Sequence, residues 1–201
     1  MSRMHQVLHG LAVKKHAGAP DIARLVGLPE NEAAALLCEA TQRGRALEEN
    51  GRYVLSPLAR VALESAYSRY CADLRENAAF IETYDAFERI NIELKALITS
   101  WQTVDAGAHR VANDHSDADY DLRVIDRLGE LHERADTLLS QFERVLPRFA
   151  YYRTQLLSAL EKAENGERQW VSSPKLESYH TLWFELHEDL LRMLGRRRSE
   201  S

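Results

Sequence analysis

Cysteine is scarce: Cys38 and Cys71 are the only two in 201 residues. Two cysteines make no disulfide framework and fit a reducing cytoplasm. Both fall in helical patterns and read as small buried apolar residues. Long apolar runs are missing as well. Nothing approaches the ~20 residues of a membrane span, so no membrane partner is expected, and the opening MSRMHQVLHGLAVKK is too short in apolar residues for a signal peptide. Nine Gly and five Pro are too few for a turn-rich all-β chain. There is no P-loop, GxGxxG, GxSxG or CxxC, and His187-Glu188 lacks the second histidine of HExxH. No cofactor and no metal is therefore expected.

Excess positive charge is absent too. The chain carries 26 Lys/Arg against 31 Asp/Glu, a net charge of −5, which excludes a uniformly basic nucleic-acid binder but not a basic patch. Residues 1–64 hold eight of the bases and seven of the acids, a net of +1. The remaining 18 bases and 24 acids give −6. This asymmetry predicts two modules, at 1–64 and 65–201.

The head reads as helices and a hairpin. Val7, Leu8, Leu11 and Ala12 have helical spacing. Pro20 opens a second helix that stops at Gly27, and a third begins at Leu28-Pro29, buries Ala33, Leu36, Leu37 and Ala40, and ends at Gly44. Asn50-Gly51 between Ala46–Glu49 and Arg52–Leu55 is a strong hairpin signal. Ser56-Pro57 then caps another helix.

This order, carried by PDIARLVGL at 20–28 and by segments 29–44 and 46–55, resembles a winged helix-turn-helix domain of the MarR-like and PadR-like regulators. It is also similar to winged helices that bind only protein. The resemblance implies that the third helix enters the major groove, with Asn31, Thr41, Gln42, Arg43, Arg45 and Arg52 as the DNA-binding candidates. Asn31 reads equally as a helix cap. Glu30 and Glu32, at the start of that helix, would face phosphates repulsively.

From Ser56 onward the period is helical, predicting an α-helical bundle and a mainly α fold overall. Tyr67, Cys71 and Leu74 lie opposite Phe87, Leu94, Ile98 and Trp101 on a helical projection, so a break is expected between residues 77 and 83. Thr103–Ser116 reads as a polar loop. A helix of about 29 residues follows, in which Ser116 with Asp119 resembles a capping box. Pro147 breaks it. Ser172-Ser173-Pro174 opens the last helix, which runs to Gly195 before the solvated tail Arg196-Arg197-Arg198.

That last helix has an apolar arc of about 200°, with His180 and His187 inside it beside Trp183. Buried imidazoles need partners. One reading makes them hydrogen-bonded core residues. Another makes them part of a ligand pocket built from Trp101, Asn113, Asp114, His115, Tyr179, His180, Trp183 and His187. A seven-residue spacing puts the imidazoles about 10 Å apart along the axis, too far to share one ion.

Trp101-Gln102, Asn113-Asp114-His115-Ser116-Asp117 and the stretch from Ser178-Tyr179-His180 to Asp189 resemble those of uncharacterised actinobacterial proteins that pair a winged helix with a helical bundle, some of which accompany phosphoenolpyruvate-utilising enzymes. Three functions stay open. The first is a homodimeric DNA-binding regulator with a small-molecule effector. The second is an enzyme using His180 or His187 as acid or base. The third is an interaction module of a larger enzyme.

Overall fold

The computed structural model describes residues 1–107 and 109–197, so Arg198 of the basic tail lies outside it. The chain is mainly helical and divides into two compact units. One comprises residues 1–78 and 185–201, the other residues 79–184. This division is not the one drawn from charge at residues 64 and 65. The helix after the hairpin stays with the first unit, and the chain returns to that unit at Glu185.

In the first unit, α1 (Arg3–Lys14) is capped by Ser2, whose hydroxyl accepts from the His5 amide. β1 (Ala17–Gly18) leads into α2 (Ala19–Val26), with Pro20 in its first turn and Gly27 closing it at φ 69°. α3 (Glu30–Gln42) follows, with Pro29 at the cap position. Asn31 therefore lies within the helix and is not its cap. β2 (Ala46–Glu49) and β3 (Arg52–Leu55) pair in antiparallel register from Ala46–Leu55 to Glu49–Arg52. Asn50 and Gly51 turn between them with φ of 52° and 75°, the left-handed pair that a tight hairpin requires. β1 adds to the far side of β3, giving the order β1-β3-β2. Ser56 caps α4 (Pro57–Tyr70) through the Ala59 amide.

Val7, Leu11, Ile22, Leu25, Ala33, Leu37, Ala40 and Leu63 fill the core of this unit. Burying each of the larger side chains contributes roughly 1.5–3 kcal/mol. Gly10 lets α1 approach α2 closely: a Cβ there would come within 3.0 Å of Val26 and 3.2 Å of Ile22. Cys71 is buried, but Cys38 is exposed on α3, contrary to expectation. It lies one turn beyond exposed Ala35, on the side of the helix away from Ala33, Leu37 and Ala40.

The expected break falls at Asn77, within the range read from the sequence, and a second one precedes it at Cys71. α4 ends at Cys71, α5 (Ala72–Glu76) is short, and Asn77 at ψ 101° separates it from α6 (Ala78–Gln102).

In the second unit, the segment expected to be a polar loop forms a hairpin. β4 (Thr103–Ala106) pairs with β5 (His109–Ala112), with Gly107 at φ 74° in the turn. β5 is exposed along its whole length, so neither of its faces carries the apolar alternation that marks a half-buried strand. α7 (Ala118–Val145) is capped by Asp117, which accepts from the Tyr120 amide, and not by Ser116. A single 3₁₀ turn at Pro147–Phe149 leads into α8 (Ala150–Glu164) and α9 (Gln169–Ser172).

α10 (Tyr179–Leu194) begins five residues after Pro174, later than expected. The Ser178 hydroxyl sets its start by accepting from the Thr181 amide at 3.4 Å, and itself donates to the Ser173 carbonyl at 2.9 Å. The core of the second unit is aromatic. Phe87 stacks on Trp183 with centroids 4.8 Å apart, and Phe80 meets Phe142 edge-on at 5.0 Å. Among the described residues no helix is long and apolar enough to cross a membrane.

Candidate functional site

The outer surface of α3 and the β2–β3 hairpin is the first candidate. Ala33, Leu37 and Ala40 turn inward, which leaves Glu30, Asn31, Ala35, Cys38 and Gln42 exposed. On the hairpin, Leu47 is 56% exposed, beside exposed Glu48 and Glu49. Glu32 and Glu39 are part-exposed.

The DNA-reading candidates are largely committed within the unit. The Thr41 hydroxyl donates to the Leu37 carbonyl at 3.0 Å, and the Gln42 amide reaches Cys38 Sγ at 3.5 Å. Arg43 pairs with Glu39 at 3.0 Å. Arg52 donates to His16 through Nε to the ring at 3.1 Å and through Nη2 to the carbonyl at 2.9 Å. Arg45 lines a recess of about 290 Å³ with His5, Leu8 and Leu58. His5 there is held below the usual imidazole range by burial, and further by the positive charge of Arg45 and Arg69. Asn31 remains exposed in the first turn.

Inside the same unit runs a buried polar chain that the sequence reading missed. Tyr67 Oη lies 2.7 Å from His9 Nδ1, and His9 Nε2 lies 2.8 Å from Asp189 Oδ1. Both His9 and Asp189 are buried. The signal available was His9 in the middle of the apolar face of α1, where an imidazole needs a partner. His187, proposed as a pocket residue, is buried and belongs to this unit.

In the second unit, Trp101, Asn113 and His115 do come together, around Asp121. The Asn113 amide donates to the Trp101 carbonyl at 3.0 Å and to Asp121 at 3.1 Å, while its oxygen accepts from the His115 amide at 3.0 Å. His115 adopts φ 61°, packs against Trp101 with centroids 4.6 Å apart and planes tilted by 41°, and places Nδ1 3.0 Å from buried Asp121. Arg168 completes the group, 3.2 Å from Asp121 and donating to the His115 carbonyl at 2.9 Å. Asp114 stands apart: it accepts from the Ser116 amide and hydroxyl, which hold its carboxyl below the usual range. The cluster thus satisfies its own polar groups and fastens the start of α7 to the end of α6.

Tyr179 and Trp183 form a separate group. Trp183 donates to the Asn91 side chain at 3.1 Å, and the Tyr179 hydroxyl lies 3.1 Å from His132 Nδ1. Burial raises the Tyr179 pKa, so the phenol is neutral, and burial also lowers that of His132. His132 borders a recess of about 510 Å³ with Asp136, Arg153 and Glu143. Arg153 grips Asp136 with two bonds of 2.6 and 2.8 Å and keeps that carboxyl ionised to lower pH.

His180 is half-buried rather than within the apolar interior, and it belongs to this second unit, apart from His187. Exposed Phe184 narrows the apolar arc of α10 on the same grounds. Among the described residues no group of three or more His, Cys, Asp or Glu side chains is placed to hold a metal ion. No protein-family model matches the chain, and neither a curated protein nor a solved structure matches it significantly.

Proposed function

We propose that residues 1–64 are a winged-helix domain used to dock protein, and that the molecule is a non-catalytic interaction partner of a larger enzyme. The observation that carries this reading is the charge of the surface formed by α3 and the hairpin. Glu30, Glu32, Glu39, Glu48 and Glu49 are exposed or part-exposed on α3 and the hairpin. Glu39 pairs with Arg43 and Glu32 with Arg3, Arg52 donates to His16, and the remaining acids outnumber the cations of these elements. A DNA-reading face needs cations, because phosphate contacts supply most of the non-specific affinity. Ala35 and Cys38 on α3 and Leu47 on the hairpin add exposed apolar side chains to these elements. Such a face suits a protein partner with an apolar anchor and a Lys/Arg rim.

The second reading is a homodimeric operator-binding regulator with a small-molecule effector. The exposed Asn31 in the first turn of α3 favours it, since that side chain is free to meet a base edge.

A photo-crosslinking amino acid placed at Ala35 or, as a control, at Arg60 on α4 separates the two readings in cells. Docking gives one dominant protein adduct from position 35, none from position 60, and its loss on Glu48→Lys/Glu49→Lys substitution. A DNA adduct from position 35, with no protein adduct, contradicts docking.

A further inference from the structure

The last turn of α10 contributes to a concavity that the docking surface does not include. Arg192, Arg196 and Arg197 from this end of the chain and Arg75 from α5 line a recess of about 580 Å³ in the first unit, together with Glu64 and Glu188. Four arginines thus meet two glutamates. Arg192 pairs with Glu188 at 2.7 Å and lies 3.8 Å from Glu64. The lining keeps an excess of positive charge.

Arg75 is fixed in place. Its Nε donates to the Met193 carbonyl at 2.8 Å, and its guanidinium lies so close to Gly195 that a Cβ there would sit 2.8 Å from Nη2 and 2.9 Å from Cζ. Gly195 also adopts φ 67°, a conformation that favours glycine. The Arg192 Nε is buried without a hydrogen-bond partner, which leaves a donor to be satisfied. One cation beside the final carbonyls of a helix is ordinary dipole complementation. Four guanidinium groups around a concavity of ligand size are more than the dipole asks for.

We propose that this recess binds the diphosphate group of a small phosphorylated ligand. Guanidinium forks match paired phosphate oxygens two at a time, and the excess charge of the lining complements a diphosphate.

Calorimetric titration of the full chain with inorganic pyrophosphate, and separately with ADP, tests the site. Saturable one-to-one binding of pyrophosphate is expected, weakened about tenfold or more by Arg75→Gln and by Arg197→Gln, the usual scale for a lost charge-assisted bond. Arg197 is exposed, so its substitution leaves folding intact even if that of Arg75 loosens the helix end. Gly195→Ala is expected to weaken binding while keeping every charge, because its Cβ displaces Arg75. ADP binding more tightly than pyrophosphate identifies a nucleotide as the source of the diphosphate, and equal affinities identify the free anion. Absence of saturable binding overturns the site. So does an affinity that Arg197→Gln leaves unchanged, or that Arg60→Gln on α4 reduces equally.

Discussion

His9 Nε2 and Asp189 Oδ1, 180 residues apart in the chain, meet at 2.8 Å in the interior of the first unit. With Tyr67 on the other ring nitrogen, this imidazole joins α1, α4 and the C-terminal half of α10. A buried pair is costly to break because the survivor keeps its desolvation penalty without its partner. His9→Ala is therefore expected to destabilise the protein by about 3–5 kcal/mol, read from urea unfolding. Tyr67→Phe removes one neutral hydrogen bond and leaves the imidazole one bond short, for a smaller loss of about 1–2 kcal/mol. Equal stability of His9→Ala and wild type would contradict this role.

The same link predicts the behaviour of fragments. Asp189, Leu190 and Leu191 belong to the first unit and are buried. A fragment of residues 1–64 is thus expected to show weaker helical circular dichroism per residue and a broader thermal transition than the full chain. A sharp, cooperative transition for that fragment would show that the head needs neither α10 nor the end of α4.

How much of this was legible in the sequence follows from which residues act locally. Asn50-Gly51, Ser56-Pro57, Gly27 and Pro147 set their turns and caps through their own backbone preferences, and the elements they bound fall where expected. The 103–112 hairpin escaped because its β5 strand buries no face, so no apolar period marks it. Asp117, one residue beyond Ser116, is the cap because its carboxylate accepts from the Tyr120 amide, while the Ser116 amide and hydroxyl both turn to Asp114. Of the candidate pocket, Trp101, Asn113 and His115 do converge, but the group at their centre, Asp121, reads in sequence as just another acid near a helix start. His9, His132 and Arg153 gain their partners only through tertiary packing. His180 and His187 share one helix in the sequence, yet the chain crosses from one compact unit to the other between them.

Around Asp121 the prediction concerns the latch. Asp121→Ala leaves Asn113, His115 and Arg168 without their common acceptor, and is expected to cost about 2–4 kcal/mol, as for other losses from a buried hydrogen-bond network. Hydrogen exchange should accelerate in 103–121 while α8 stays protected. Uniform acceleration across the second unit would show instead that the latch belongs to its global core.

Acid sensitivity follows from His132. Burial lowers its pKa below 6.5 in the folded state, so as pH falls through 6.5 the unfolded chain takes up a proton that the folded chain refuses. Stability is then lost progressively from pH 6.5 down to the folded pKa. His132→Gln is expected to flatten this part of the pH–stability curve, with the remaining slope owed in part to His5, which is shifted the same way. An unchanged slope in the variant would contradict a buried neutral imidazole.

The central claim is that the surface of α3 and the hairpin docks protein and is electrostatically unsuited to DNA. Fluorescence anisotropy with labelled duplexes, including the protein's own upstream region, measured from 50 to 300 mM salt on wild type and on Glu48→Lys/Glu49→Lys, tests it most directly. The wild type is expected to show no saturable binding at low salt, and weak, salt-sensitive binding is expected to appear once the two carboxylates become cations. Tight wild-type binding to one duplex, with log affinity falling linearly in log salt and lost on Asn31→Ala or Arg52→Ala substitution, would contradict it.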